Sequence, residues 1–155
     1  MRADSEDQET IKMVRIFLAC VGLLYGGLAA YCALWPAAAA QTVGLQLLPG
    51  AGDSEFLTVY GGLEAGLALS WLLPLIWPQL TLGALVQCTV IHACLVGFRS
   101  AGFVLFSDIP AGTRQLAAGE WVLLILSALL LWRSRASLRA GSGVAAEIEG
   151  ERKIR

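Results

Sequence analysis

Four long apolar runs alternate with short polar or proline-containing segments along the chain. The first run, residues 13–35, is 23 residues long. An α-helix needs about 20 apolar residues to cross a hydrocarbon layer of about 30 Å. The pattern therefore predicts an all-α integral membrane bundle of four transmembrane helices. We place these helices at about residues 13–35, 56–73, 80–98 and 116–132.

The prolines between the runs predict an up-and-down order of the helices. Pro36 is expected to end the first helix, because proline lacks the N–H that would continue the hydrogen-bond ladder. Pro74 and Pro78 bracket a turn between the second and third helices. Such a short connection makes those two helices antiparallel neighbours.

The remaining segments are predicted to lie outside the membrane. Residues 36–55 form a loop rich in Ala and Gly, and its apolar part, residues 43–48, is expected to form a short helix on the membrane surface. Residues 99–115 are predicted to be a loop that begins with more helix. Residues 1–12 form a polar N-terminal tail, disordered or lying on the surface, and residues 133–155 form a basic, then mixed C-terminal tail with a Gly-Ser-Gly linker.

Composition supports the membrane assignment and excludes nucleic acid as a partner. Only 15% of the residues are charged and 57% are hydrophobic, whereas a soluble domain is about a quarter charged. There is no basic patch interleaved with aromatic residues, which a nucleic-acid-binding protein needs. The two terminal tails, together with Arg15 at the start of the first helix, hold nine of the eleven Lys and Arg residues. The positive-inside rule then predicts a multi-pass protein with cytoplasmic N and C termini.

The sequence offers little for catalysis or metal binding. It contains none of the short motifs of serine hydrolases, phosphate-binding loops, zinc proteases or dinucleotide-binding domains. The four cysteines all lie in apolar runs, where a thiol behaves as a small hydrophobic group. His92 is the only histidine, so we predict no metal site.

Two GxxxG motifs predict where helices pack together. In lipid, small residues let two helix backbones approach closely. We expect the first and second helices to cross at these four glycines, although glycine is common in membrane helices and a homodimer through the same face is an alternative. The glycines are Gly22, Gly26, Gly62 and Gly66.

Five polar side chains of the predicted helices fall in the outer half of the membrane. The helix rise puts Glu64 about 12 Å and His92 about 10 Å below the outer surface, so these two side chains could meet. The functional interpretation is a polar pocket that opens outward and binds a small amphipathic molecule. Its candidate residues are Tyr60, Glu64, His92, Arg99 and Glu120.

A structural interpretation of the same residues is equally open. An Arg99–Glu120 ion pair would lock two helices together, and a contact between Glu64 and His92 would fix helix register. Ionisable groups within the membrane usually mark a functional site, yet small bundles also use polar groups to hold helices together. A Glu64–His92 pair could also pass a proton.

Several short segments resemble the bacterial domain-of-unknown-function family 4345. These are small four-helix membrane proteins of about this length, and the resemblance extends from the first helix to Trp132. That family in turn resembles the DoxX-like group, some of whose members are linked to sulfur or quinone redox chemistry. The segments that carry the resemblance are Tyr60–Ala68, Gly97–Ser100, Pro110–Gly112 and Glu120, and the matching positions are Tyr60, Gly61, Gly62, Arg99 and Glu120.

The resemblance implies a DoxX-like bundle in a bacterial inner membrane, of uncharacterised function. We expect a protein that binds a lipid- or quinone-like molecule in the outer-half pocket, or an accessory subunit. The alternatives are a DoxX-like redox or proton-transfer enzyme and a purely structural membrane protein. No cofactor is predicted, although a quinone is possible. The expected partners are membrane lipid, a small amphipathic ligand and a second copy of the chain.

Overall fold

The computed structural model describes the backbone of residues 2–154 and the side chains of residues 8–134, and it contains no strand in that part of the chain. Four helical segments are long and apolar enough to cross a membrane, which confirms the all-α membrane bundle predicted from the sequence. These segments are Gln8–Leu34, Ala51–Leu75, Pro78–Leu105 and Ala111–Ser134.

The spanning segments are built from α-helices joined by short turns. The second span is composite, because a π-helical segment, Leu57–Leu63, separates two α-helical parts and a 3₁₀ turn, Leu73–Leu75, follows. A second 3₁₀ turn, Pro78–Leu80, opens the third span. The α-helices are α1 Arg2–Leu34, α2 Pro36–Thr42, α3 Ala51–Phe56, α4 Glu64–Leu72, α5 Thr81–Leu105 and α6 Ala111–Ile154.

Helix extends further than the sequence indicated at several places. Helix α1 begins at Arg2 and α6 continues through the Gly-Ser-Gly segment. The side chains of residues 1–7 and 135–155 lie outside the described part. Helix α5 continues to Leu105, so Arg99 is a helical residue and only residues 106–110 connect α5 to α6.

The short helix of the first loop also lies earlier than predicted. It covers Pro36–Thr42 rather than residues 43–48. Pro36 occupies the first turn of α2, where its fixed φ is favourable and its missing N–H is not needed. The following residues then leave helical geometry, with Gly44 and Gly50 both at φ 79°.

Contacts at both ends of the bundle agree with an up-and-down order. At one end, a methyl group on Gly112 would collide with the backbone carbonyl of Thr42, so the start of α6 packs directly on the end of α2. At the other end, Arg15 donates a hydrogen bond from Nη2 to the Leu75 carbonyl, at 3.2 Å. The α1–α3 connection therefore meets the start of α6, while the first half of α1 meets the turn after α4.

A buried stripe on α1 forms the centre of the core. Its members recur every three or four residues, as expected for one face of a helix. They pack against Ala68 and Trp71 of α4 and against Leu85 and Cys88 of α5. The stripe consists of Val14, Leu18, Val21 and Tyr25.

Only half of the predicted glycine interface forms within the chain. A Cβ placed on Gly22 would lie 2.8 Å from Leu72 Cγ and 3.0 Å from the Ala68 carbonyl oxygen, so α1 and α4 touch there. Gly26 faces Ala68 at 3.8 Å. Gly62 and Gly66, in contrast, have no such neighbour within 4 Å.

There is a physical reason why Gly62 and Gly66 do not pack against α1 as predicted. The second span carries two adjacent stripes of small residues, one through Gly62 and Gly66 and the other through Gly61 and Ala68. The second stripe is the buried one, and a Cβ placed on Gly61 would lie 3.8 Å from Ala33 Cβ of α1. It is in register with the large buried side chain of Trp71, whose burial fixes which face of the helix turns inward.

We predict that Gly22→Ala destabilises the bundle and Gly66→Ala does not. The new methyl group at residue 22 must displace a backbone carbonyl or a side-chain branch point, and such overpacking costs about 1–3 kcal/mol. Thermal unfolding in a nonionic detergent measures the difference. Equal melting temperatures for the two variants would contradict the assigned interface.

Candidate functional site

A buried hydrogen bond joins α1 to α5 near the middle of both spanning segments. Tyr25 Oη lies 3.1 Å from His92 Nε2, and His92 Nδ1 lies 2.8 Å from the backbone oxygen of Cys88. A carbonyl oxygen only accepts, so Nδ1 is the donor there. In the neutral imidazole, Nε2 then accepts a hydrogen bond from the Tyr25 hydroxyl. His92 itself is fully buried.

Trp71 of α4 completes this group of rings. Its indole meets Tyr25 edge to face with centroids 4.6 Å apart, and it stacks on His92 at 5.6 Å. Both geometries are favourable for aromatic pairs. The three rings therefore connect α1, α4 and α5. Trp71 has no exposed surface, and its indole N–H has no hydrogen-bond partner among the described residues.

Arg99 and Glu120 form a two-pronged ion pair between α5 and α6. Arg99 donates from Nε to Glu120 Oε2 at 2.5 Å and from Nη2 to Oε1 at 2.6 Å. The side chains are 25% and 12% exposed. Such planar pairs combine strength with a fixed geometry. The structural interpretation of these two residues therefore has a direct geometric basis, because the pair holds α5 on α6.

Glu64 lies at the start of α4 and turns into the protein. Its Oε2 is buried and receives no hydrogen bond from the described residues. Its carboxyl group interacts electrostatically with Tyr25 and Cys32 of α1 and with Glu120 of α6. Among the described residues no cation pairs with Glu64, since Arg99 is already held by Glu120.

Glu64 and His92 do not form the pair that the matching depths suggested. Both ring nitrogens of His92 are taken, one by the Tyr25 hydroxyl and one by the Cys88 carbonyl. Depth along a helix fixes only one coordinate, and rotation about the helix axis decides which group a side chain meets.

Tyr60 lies at the exposed edge of the polar cluster, which consists of Tyr25, Tyr60, Glu64, Arg99 and Glu120. It is 39% exposed, its ring stacks on Phe56 with centroids 4.6 Å apart, and its hydroxyl lies within electrostatic range of Arg99. A shallow groove of about 340 Å³ adjoins the same guanidinium and opens away from the bundle. Its lining residues are Cys94, Leu95, Phe98 and Arg99.

The π-helical segment ends directly before Glu64. Residues 57–63 bond i to i+5 rather than i to i+4, a geometry that is rare and occurs often at functional sites. The helix is wider than an α-helix at Gly61 and Gly62. The π-helical geometry also sets the directions in which the Tyr60 and Glu64 side chains project from the second span. Nothing in the apolar pattern distinguishes this turn from ordinary α-helix.

Sequence reasoning missed Tyr25 and Trp71. A usable signal existed for Tyr25, because it continues the three- and four-residue spacing of the apolar positions Val14, Leu18 and Val21. Trp71 follows Glu64 by two turns on the same face of α4. Restricting the search to charged and titratable residues of the last three helices left both out.

No family model, curated protein or solved structure matches the chain. The resemblance to the domain-of-unknown-function family and to the DoxX-like group therefore remains a prediction from the sequence.

We predict that Tyr25→Phe lowers the thermal stability of the protein. The change removes the hydroxyl that His92 Nε2 contacts, and a hydrogen bond between membrane helices contributes about 1 kcal/mol. Tyr31→Phe is the matched control, because Tyr31 lies on the same helix and is 39% exposed. The hydrogen bond has no energetic role if both variants melt at the parent temperature.

We predict strong coupling between Arg99 and Glu120 in a double-mutant cycle. Arg99→Met alone leaves a half-buried carboxylate without its counter-ion, a loss of about 3 kcal/mol. Glu120→Gln alone is also destabilising, whereas the double variant loses less than the sum of the two. Melting temperatures of the four proteins give the coupling. Additive effects would show that the pair does not act as a unit.

Proposed function

We propose that this protein binds the polar head of a small amphipathic molecule, of the lipid or quinone type, beside Glu64 in the outer half of the bundle. The observation that carries the proposal is the buried Glu64 Oε2, which accepts no hydrogen bond within the described part of the chain. A ligand that supplies a donor or a positive charge would satisfy this oxygen.

Energetics favour a ligand over a purely structural role for Glu64. A charged side chain in a membrane span costs about 2.5–3.5 kcal/mol on insertion scales. The Arg99–Glu120 pair and the Tyr25–His92 hydrogen bond offset such costs by joining helices. Glu64 joins nothing in this way, so its presence calls for a partner from outside the chain.

The surroundings supply a route and an anchoring surface. The groove beside Arg99 is lined mainly by apolar side chains, which suits an acyl or isoprenoid tail. Tyr60, which lies within electrostatic range of Arg99, is partly exposed. An amphipathic molecule entering from the lipid would keep its tail in the groove and direct its head toward Glu64.

A second function, proton transfer of the DoxX-like kind, has one observation in its favour. The Tyr25–His92 hydrogen bond brings together two groups that can exchange a proton. This alternative assigns the catalytic role to Tyr25 and His92, with a quinone as the redox partner. Glu64 then acts only as a hydrogen-bond acceptor.

The proposal also includes the setting of the protein. Basic residues concentrated in the terminal regions favour cytoplasmic N and C termini in a bacterial inner membrane. A Cβ on Gly62 or Gly66 would meet none of the described residues within 4 Å, so a second copy or a larger complex in which this protein is an accessory subunit would pack there.

We predict that an amphipathic molecule co-purifies with the protein and is lost from Glu64→Gln. The variant should be as stable as the parent or more stable, because it removes an unpaired intramembrane charge. Mass spectrometry of the protein in nonionic detergent identifies the bound molecule. Glu55→Gln is the control, since Glu55 is exposed in α3, nine positions before Glu64.

The opposite pattern would favour the structural role. If Glu64→Gln melts several degrees below Glu55→Gln and neither parent nor variant retains an amphipathic molecule, Glu64 acts within the fold and the binding proposal is wrong.

A further inference from the structure

We propose that the head group bound beside Glu64 is an organic cation, a protonated or quaternary amine carried by an amphipathic molecule, with the Glu64 carboxylate as its counter-ion. The inference rests on the binding function proposed above and names the chemical class of the ligand.

The charges of the cluster point to a missing cation. Its charged side chains are two carboxylates and one guanidinium, and Arg99 meets Glu120 through both of its short hydrogen bonds. That pair is neutral as a unit. Glu64 has no cation beside it among the described residues, and its buried oxygen receives no hydrogen bond from them.

Other groups of the described chain do not supply the counter-charge. Both ring nitrogens of His92 are engaged by Tyr25 and Cys88. Arg15 reaches the Leu75 carbonyl at the far end of the bundle, and Arg114 donates to the Ile109 carbonyl in the connection between α5 and α6.

The same geometry argues against other head groups. An anionic head would meet both Glu64 and Glu120, which already interact electrostatically with each other. A quinone carbonyl is only an acceptor, and the unsatisfied atom at Glu64 is itself an acceptor. A protonated amine brings both the positive charge and the hydrogen-bond donors that this position lacks, and a quaternary amine brings the charge.

Aromatic side chains close to Glu64 suit a cation. Tyr60 lies four positions earlier on the same span and is partly exposed, and Tyr25 of α1 interacts electrostatically with Glu64. The faces of tyrosine rings attract cations, most strongly where water is excluded. The Glu64 carboxylate and the Tyr25 ring come from different spanning helices, so the bundle has to be folded for the site to exist.

The test uses the full chain in nonionic detergent, with tetraphenylphosphonium as a permanent lipophilic cation and decylquinone as a neutral amphipathic probe. Equilibrium dialysis measures both. We expect the cation to bind the parent and Glu55→Gln with similar affinity, and to bind Glu64→Gln roughly tenfold more weakly or worse. Glu64→Asp, which keeps the charge, should retain most of the affinity.

A competition arm identifies the natural source of the cation. Displacement of tetraphenylphosphonium by phosphatidylethanolamine, with no displacement by phosphatidylglycerol, would support a lipid ammonium group. Displacement by dodecylamine alone would support a free lipophilic amine. Each result supports the proposed chemical class.

Two outcomes overturn the inference in different ways. If decylquinone binds and tetraphenylphosphonium does not, or if Glu64→Gln binds the cation as tightly as the parent, the ligand class is wrong while the binding function stands. If neither probe binds and no amphipathic molecule co-purifies, the binding function fails as well. Circular dichroism and melting of Glu64→Gln confirm that the comparison is made on folded protein.

Discussion

The hydrogen bond between Tyr25 and His92 is the interaction on which the arrangement of the bundle depends. It lies in the buried centre, with the Trp71 ring packed against both partners. A polar group in lipid has to find its partner within the protein, so this bond fixes the rotation of α1 against α5. Trp71 packs on the same two rings, so the bond also sets which face of α4 turns toward α1 and α5.

The sequence specifies length and depth far better than rotation. Apolar runs and prolines sufficed to predict four spans and their order, because the thickness of the membrane sets the length of each element. Neighbouring positions on a helix differ by about 100° around its axis. That difference separates the buried stripe through Gly61 from the open one through Gly62, and it separates the expected contact of His92 with Glu64 from the observed contact with Tyr25.

Only part of the candidate site could be predicted from the sequence. Arg99 and Glu120 were foreseen as an ion pair because opposite charges in lipid have few other partners, and their geometry is the two-pronged one that guanidinium favours. Trp71 is not ionisable and Tyr25 lies on the first helix, so both escaped a search for ionisable groups in the last three helices. The π-helical turn at residues 57–63 departs from α-helix through its hydrogen bonds, which leave no mark in the apolar pattern.

Two kinds of intramembrane polar group therefore coexist in one small bundle. In the first kind, each side chain pairs with a side chain of another helix. These pairs are Arg99 with Glu120 and Tyr25 with His92. Glu64 is of the second kind, since its buried oxygen receives nothing from the described chain. Replacing Glu64 by a neutral residue would remove a penalty without breaking any bond that holds helices together. A chain that keeps the carboxylate, directly after a π-helical turn and next to a neutral ion pair, has a position suited to an external positive charge.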